Sequence, residues 1–182
     1  MGTITPMTIQ SGTHELGPDN GSLKVKTGRE GAAAKAGHDL VLGVNSWSGS
    51  IDVEGGSVEL TADPGSVEVE SGSGGAKPLS DKDKADIKKS IGAKVLGSSQ
   101  ISFKSDSVES NGNQITAKGD LSIAGKSNQV SIPLSVKDDG TVSGSVTISQ
   151  KDYGIKQFSA MLGALKVKDQ VEVVIEAKLP TG

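Results

Sequence analysis

Two short stretches hold the only histidines of this chain, and each sets a carboxylate beside the ring: His14-Glu15 and His38-Asp39. A histidine with a carboxylate can move a proton, and two histidines with an aspartate can hold a divalent metal. The sharper candidate is "GHDLVLGV", Gly37 to Val44, where the pair opens an apolar run. Successive side chains of a strand point to opposite faces, so neither pair forms a dyad from regular β structure. A joint site of His14, His38 and Asp39 needs a fold that brings the two segments together. The plainer reading makes His38 a loop residue bonded to backbone, with Asp39 capping a turn. A hydrolase or metal-dependent enzyme using His38 stays open as an alternative.

Other candidates are weaker. "AGKS", Ala124 to Ser127, has the end of a phosphate loop, but Asp120 stands where that loop needs glycine. The next segment, Val130 to Val136, alternates as a strand rather than opening a helix, so the motif reads as a turn. "ESGSGG", Glu70 to Gly75, lacks the spacing of a serine nucleophile elbow and reads as a loop. With no cysteine, thiolate nucleophiles, zinc-thiolate sites and disulfides are excluded. No cofactor is implied.

The elements that would position any such residues are strands. Alternation of apolar and polar residues runs through Leu23–Val25, Ile51–Val53, Val58–Leu60, Val67–Val69 and Ile101–Phe103. It continues through 115–123, 130–136, 142–148 and 171–177, with Glu172 and Glu176 on a polar face. Gly55-Gly56, Asp63-Pro64-Gly65, Asn111-Gly112-Asn113, Gly125-Lys126-Ser127 and Asp138-Asp139-Gly140 are turn signals between the runs. The 25 glycines among 182 residues argue against a helical protein. We expect eight or nine strands in one all-β domain, an antiparallel barrel, over about residues 21–180, with 1–20 a partly flexible extension.

One interval departs from this pattern. Ser80 with Asp83 makes a weak capping box, and Ile87, Ile91 and Val95 recur every four residues, predicting an amphipathic helix that ends near Gly97. A second, short helical segment is expected in the loop 157–165. Small wall residues, Ala117, Gly119 and Gly144, hint at room inside the barrel.

The net charge of −3 and the four aromatic residues, Trp47, Phe103, Tyr153 and Phe158, give neither a basic stripe nor stacking platforms, so no nucleic-acid partner is expected. No stretch has the length of an integral membrane segment, and the first residues do not read as a secretory signal. The expectation is a cytoplasmic protein, or an exported one if a leader had been removed. The oligomeric state, homodimer included, is left open.

The order of these features resembles the YceI-like family. The similarity runs from about Leu23 to Leu179 through "GHDLVLGVNSWSGSIDV", the helix and strand "LSDKDKADIKKSIGAKVL" and "SSQISFKSDSV", "ITAKGDLSIAGKSNQVSIPLSV", and "DYGIKQFSAMLGALKVKDQVEVVIEAKL". The resemblance implies an extended lipocalin-like barrel and non-enzymatic binding or carriage of a long-chain apolar lipid of polyisoprenoid type. The expected ligand-binding or core residues are Phe103, Leu121, Ile123, Val146, Ile148, Phe158, Met161 and Ile175. Trp47 and Tyr153 are expected at a rim, with Tyr153 reaching the ligand. A closed-core protein with no ligand is the remaining alternative.

Overall fold

The computed structural model describes residues 12–31, 38–52, 55–73, 79–90, 100–156, 159–160 and 165–180. Their elements are β1 (Thr13–Leu16), β2 (Gly21–Lys26), β3 (Arg29–Glu30), β4 (Asp39–Val44), β5 (Trp47–Asp52), β6 (Ser57–Ala62) and β7 (Val67–Ser73). Helix α1 (Asp81–Ser90) follows, then β8 (Ile101–Asn111), β9 (Gln114–Ile123), β10 (Lys126–Val136), β11 (Thr141–Ser149), β12 (Ser159–Ala160), β13 (Leu165–Val167) and β14 (Gln170–Lys178).

Eleven of the strands make one antiparallel sheet that returns on itself. Three pairs of consecutive strands act as single bent staves: β1 with β2, β4 with β5, and β6 with β7. Both halves of the second pair with both halves of the third, through Val44↔Val67 and Trp47↔Ala62. Across the bend the ladder is carried by Asn45 N–H to the Ser66 carbonyl (3.1 Å) and Asp63 N–H to the Ser46 carbonyl (3.0 Å). The ring then runs from β6 through β8, β9, β10, β11 and β14 to β2. It closes from β2 onto β4. The all-β barrel is therefore as expected, with eight staves built from more strand segments than the alternation showed. β3, β12 and β13 form a separate three-stranded sheet.

The turns follow their sequence signals. Ala124 and Gly125 both take positive φ (52° and 82°), which makes the β9–β10 connection a two-residue hairpin turn and not a phosphate loop. Asp63 caps the 3-10 turn Pro64–Ser66 by accepting from Gly65 N–H, where the β6–β7 stave bends. In α1 the capping box is complete. Asp83 N–H donates to Ser80 Oγ and Ser80 N–H to Asp83 Oδ2, each at 3.1 Å. The continuation of this helix through Ile91 and Val95 lies outside the described residues. The expected helical segment at 157–165 is corrected in part: Ser159–Ala160 and Leu165 are in strands, because β13 pairs with both β12 and β3.

The barrel is filled unevenly. At the end bearing the Asn111–Gln114 and Val136–Thr141 turns, Val108, Ile115, Leu134, Val136, Val142 and Leu179 are all buried. Trp47 is buried as well, opposite the small Ala62 in the bend, so it is a core residue and not a rim residue. Gly119 and Gly144 do not make room for a ligand. A Cβ at Gly119 would lie 2.0 Å from the Lys104 carbonyl, and one at Gly144 2.4 Å from the Pro133 carbonyl. Both glycines allow neighbouring backbones to approach, Gly119 beside the bulge at Ser105–Ser107.

Candidate functional site

Toward the end where β4 begins, the staves surround a cavity of about 530 Å³. Strand alternation explains its lining, since every second side chain of a barrel stave points inward. β2 supplies Leu23 and Val25, β4 Leu40, Leu42 and Val44, β9 Leu121 and Ile123, β11 Val146 and Ile148, and β14 Val171 and Val173. Leu60, Phe103 and Ile132 border both this cavity and a second one of about 20 Å³ beneath it, so they form the floor. Leu60 and Phe103 are ladder partners, and Phe103 is partnered in turn by Leu121.

Two elements seal the wall where ladders part. α1 packs on β7 and gives the cavity Asp86 and Ile87. It is tied there by an ion pair between Lys88 and Glu68 at 3.0 Å, and that lysine, with Asn45, holds the Glu68 carboxyl below its usual range. On the opposite side β10 and β11 pair only from Leu134↔Gly144 to Val136↔Val142. The 3-10 turn Gln150–Tyr153 packs against β10 beyond that point and places Gln150 and Tyr153 on the cavity, with Ile155 following.

That turn is held by Asp169. Its carboxylate accepts from the Ser149 hydroxyl and from Lys151 N–H at 2.9 Å. The Ser149 bond is the larger cause of a carboxyl pKa below the usual range. Tyr153 is 3% exposed, and its hydroxyl has no hydrogen-bond partner among the described residues. Burial pushes its phenol pKa up. Asn128, whose amide donates to the Asp152 carbonyl at 2.6 Å, works against that shift. Tyr153 is thus buried, where a rim position was expected.

Part of the polar lining lies at the mouth, and Thr61, Ser102 and Asp86 add to it from β6, β8 and α1. Thr27, Arg29 and His38 lie where β2 ends and β4 begins. Asp39 is paired with Arg29, Nε to Oδ1 at 3.0 Å. His14 lies opposite Ile51 on β5, whereas His38 precedes β4, so the two histidines stand at opposite ends of one bent stave. This separation corrects the idea of a joint His14–His38–Asp39 site. Among the described residues, no group of three or more histidine, aspartate or glutamate side chains could hold a metal ion.

Of the residues expected at a ligand, Phe103, Leu121, Ile123, Val146, Ile148 and Tyr153 line the large cavity. Ile175 borders only the small cavity beneath the floor. Phe158 and Met161 lie outside the described residues. The sequence reading misses the contributions of β2, β4 and β14 to the lining, although their alternation carries the signal. No helix among the described residues is long and apolar enough to cross a membrane.

The fold has solved counterparts. BcnA of Burkholderia cenocepacia superposes with a TM-score of 0.58 at 18% identity, over 85% of this chain and 94% of that one. A YCEI protein of Campylobacter jejuni gives 0.57 at 14% identity, over 78% of this chain and 84% of that one. No curated protein matches this chain. The profile of the YceI-like domain matches residues 21–179, and the chain belongs to that family.

Proposed function

We propose that this protein binds and carries a long apolar lipid of polyisoprenoid type inside its barrel, without chemistry on the ligand. The observation that carries the reading is the cavity of about 530 Å³, in which twenty of the lining residues are apolar. Of the residues that carry a charge, Arg29 and His38 lie at the mouth and Asp86 on α1, so a chain inside meets mainly aliphatic side chains, with the rings of Phe103 and Tyr153. Each methylene removed from water contributes about 0.8 kcal/mol. Association costs on the order of 4–15 kcal/mol, so roughly twenty buried carbons suffice for binding without a deep polar anchor.

Phe103, Leu121, Ile123, Val146 and Ile148 are the proposed chain contacts, with Tyr153 beside them and Ile175 supporting from below. The small size of the cavity beneath the floor argues for a ligand confined to the upper half. The test is mass spectrometry of an organic extract of the purified protein, paired with uptake of a prenyl alcohol by delipidated protein. Recovery or uptake of a long-chain lipid supports the reading, and failure of both arms overturns it. Stoichiometric metal that disappears in His38→Ala would count for the enzyme alternative instead.

A further inference from the structure

The charges of this chain are sorted along the barrel. Four connections leave and rejoin the strands at the mouth end, residues 27–38, 74–100, 124–125 and 150–169. Of the chain's 19 lysines and arginines and 22 aspartates and glutamates they hold twelve and six, leaving seven and sixteen elsewhere. A net charge of −3 thus divides into +6 in these connections and −9 in the rest of the chain. Lys35, Lys77 and Lys94 lie outside the described residues, and without them the connections still hold nine against six. The ten residues of β9 span roughly 33 Å, whereas charges in physiological salt are screened over about 8 Å. A surface set against the mouth therefore senses the basic end and not the net charge.

Two glycines seat the exposed part of this excess. Gly154 takes φ of 71° after the turn Gln150–Tyr153, and the Lys126 stem crosses it, with Nζ 3.4 Å from where a Cβ would stand. Lys151 and Lys156 flank that glycine in sequence. Lys168 N–H donates to the Gly28 carbonyl at 3.0 Å, and the Lys168 stem lies over that glycine. Stems laid on the fold leave the ammonium heads in water. All four lysines are exposed, and none is in an ion pair among the described residues. Nearby carboxylates turn to partners in the fold: Asp169 accepts from the Ser149 hydroxyl and Lys151 N–H, and Asp39 from Arg29. Protein–protein interfaces are poor in lysine and rich in aromatic rings, whereas here Trp47, Phe103 and Tyr153 are all buried. Lysines spread over a rim suit a surface of diffuse negative charge better than a shaped acidic partner.

The geometry points to the mouth as a docking face for an anionic lipid bilayer, met end-on by Lys126, Lys151, Lys156 and Lys168. This goes beyond the carrier reading, because it sets the cavity opening against the membrane while the acidic walls stay in water. Each lysine near an anionic leaflet strengthens binding about fivefold.

The experiment is co-flotation of the full chain with vesicles of phosphatidylcholine, alone or with about a third phosphatidylglycerol, at about 0.05 M and 0.5 M salt. Two variants of equal net charge are compared. One combines Lys126→Gln, Lys151→Gln, Lys156→Gln and Lys168→Gln at the mouth. The other combines Lys104→Gln, Lys118→Gln, Lys137→Gln and Lys178→Gln on the walls and far end. Wild type is expected to bind anionic vesicles at least about tenfold tighter than neutral ones at low salt, and to lose most of that preference at high salt. The mouth variant should lose at least about tenfold, and the wall variant less than about threefold. Should the mouth variant fail to fold, Lys151→Gln with Lys156→Gln against Lys118→Gln with Lys178→Gln makes the same comparison. Equal binding to both kinds of vesicle, or equal losses in the two variants, overturns the proposal. Absence of binding at low salt overturns it in favour of an acidic protein partner. Uptake of a prenyl alcohol from solution involves none of these lysines, so the carrier reading stands or falls separately.

Discussion

Asp39 accepts from Arg29 Nε at 3.0 Å, so the carboxylate that follows His38 in sequence is engaged by an arginine. The pair joins β3 to the first residue of β4 at the cavity mouth. Its side chains are 24% and 45% exposed, and partly exposed pairs of this kind contribute about 0.2–1 kcal/mol. Asp39→Asn is expected to lower the unfolding free energy by no more than that, with a smaller difference in 1 M salt. Urea titration of both proteins at two salt concentrations checks it. A loss several times larger would mean that the pair supports more of the fold than the mouth.

Tyr153 carries a buried hydroxyl without a partner among the described residues. An unsatisfied buried polar group costs about 1–3 kcal/mol, so its removal relieves the ligand-free protein. Tyr153→Phe is expected to raise stability by about 1 kcal/mol and the melting temperature by roughly 2–4 °C. Denaturant and thermal unfolding of delipidated protein read this directly. A destabilised variant would reveal a bond made by the hydroxyl and contradict its isolation.

Asp169 gives the turn Gln150–Tyr153 an acid dependence. Its pKa is lowered in the folded state, chiefly by the Ser149 hydroxyl. A carboxylate lowered on folding adds stability above its unfolded pKa of about 4, and that contribution disappears as pH falls through the folded value. Glu68, Asp83 and Asp139 are also lowered, so the wild-type decline in acid belongs to several groups. Asp169→Asn isolates one of them. The variant should be less stable at pH 6, and the gap from wild type should narrow as the pH is lowered below the ordinary aspartate pKa of about 4. A gap that stays constant with pH would show that protonation of Asp169 does not loosen the turn.

Gly119 and Gly125 should respond oppositely to substitution. Gly119→Ala drives a Cβ against the β8 backbone and is expected to cost about 1–3 kcal/mol. Gly125 has φ of 82°, and nothing lies within 4 Å of the point its Cβ would occupy. Asparagine tolerates that backbone, so Gly125→Asn should cost less than about 1 kcal/mol. Comparison of urea midpoints tests both, and equal losses would contradict the close approach at Gly119.

Alternation makes the long strands legible because burying one face imposes a period of two. β3, β12 and β13 have two or three residues each, too short for a period, and the sheet they form depends on β13 meeting β3 from far away in sequence. The same limit applies to the cavity. Val173 and Ile175 share a face of β14, yet Val173 lines the large cavity and Ile175 only the small one. Parity tells which way a side chain points, but the height at which a strand crosses the hollow half depends on register. Trp47 escapes the sequence reading for a related reason, since its burial depends on Ala62 across a non-local ladder. Gly119 and Gly144 are legible as small, but small for the sake of neighbouring backbone rather than a ligand.

Seven of the eight junctions around the ring join staves that follow one another in the chain. The eighth, where Val25 meets Val173, joins the first stave to the last. A ribosome that has not yet released β14 therefore holds an open trough with two unpaired margins and an apolar inner face. Such margins are templates for pairing with other chains. Closure also carries the loop entropy of almost the whole sequence, which places the slowest-forming contacts at that seam. The architecture that shelters an apolar guest is thus unavailable to a truncated chain. For this protein, the arrival of β14 and the acquisition of a sheltered interior are one event.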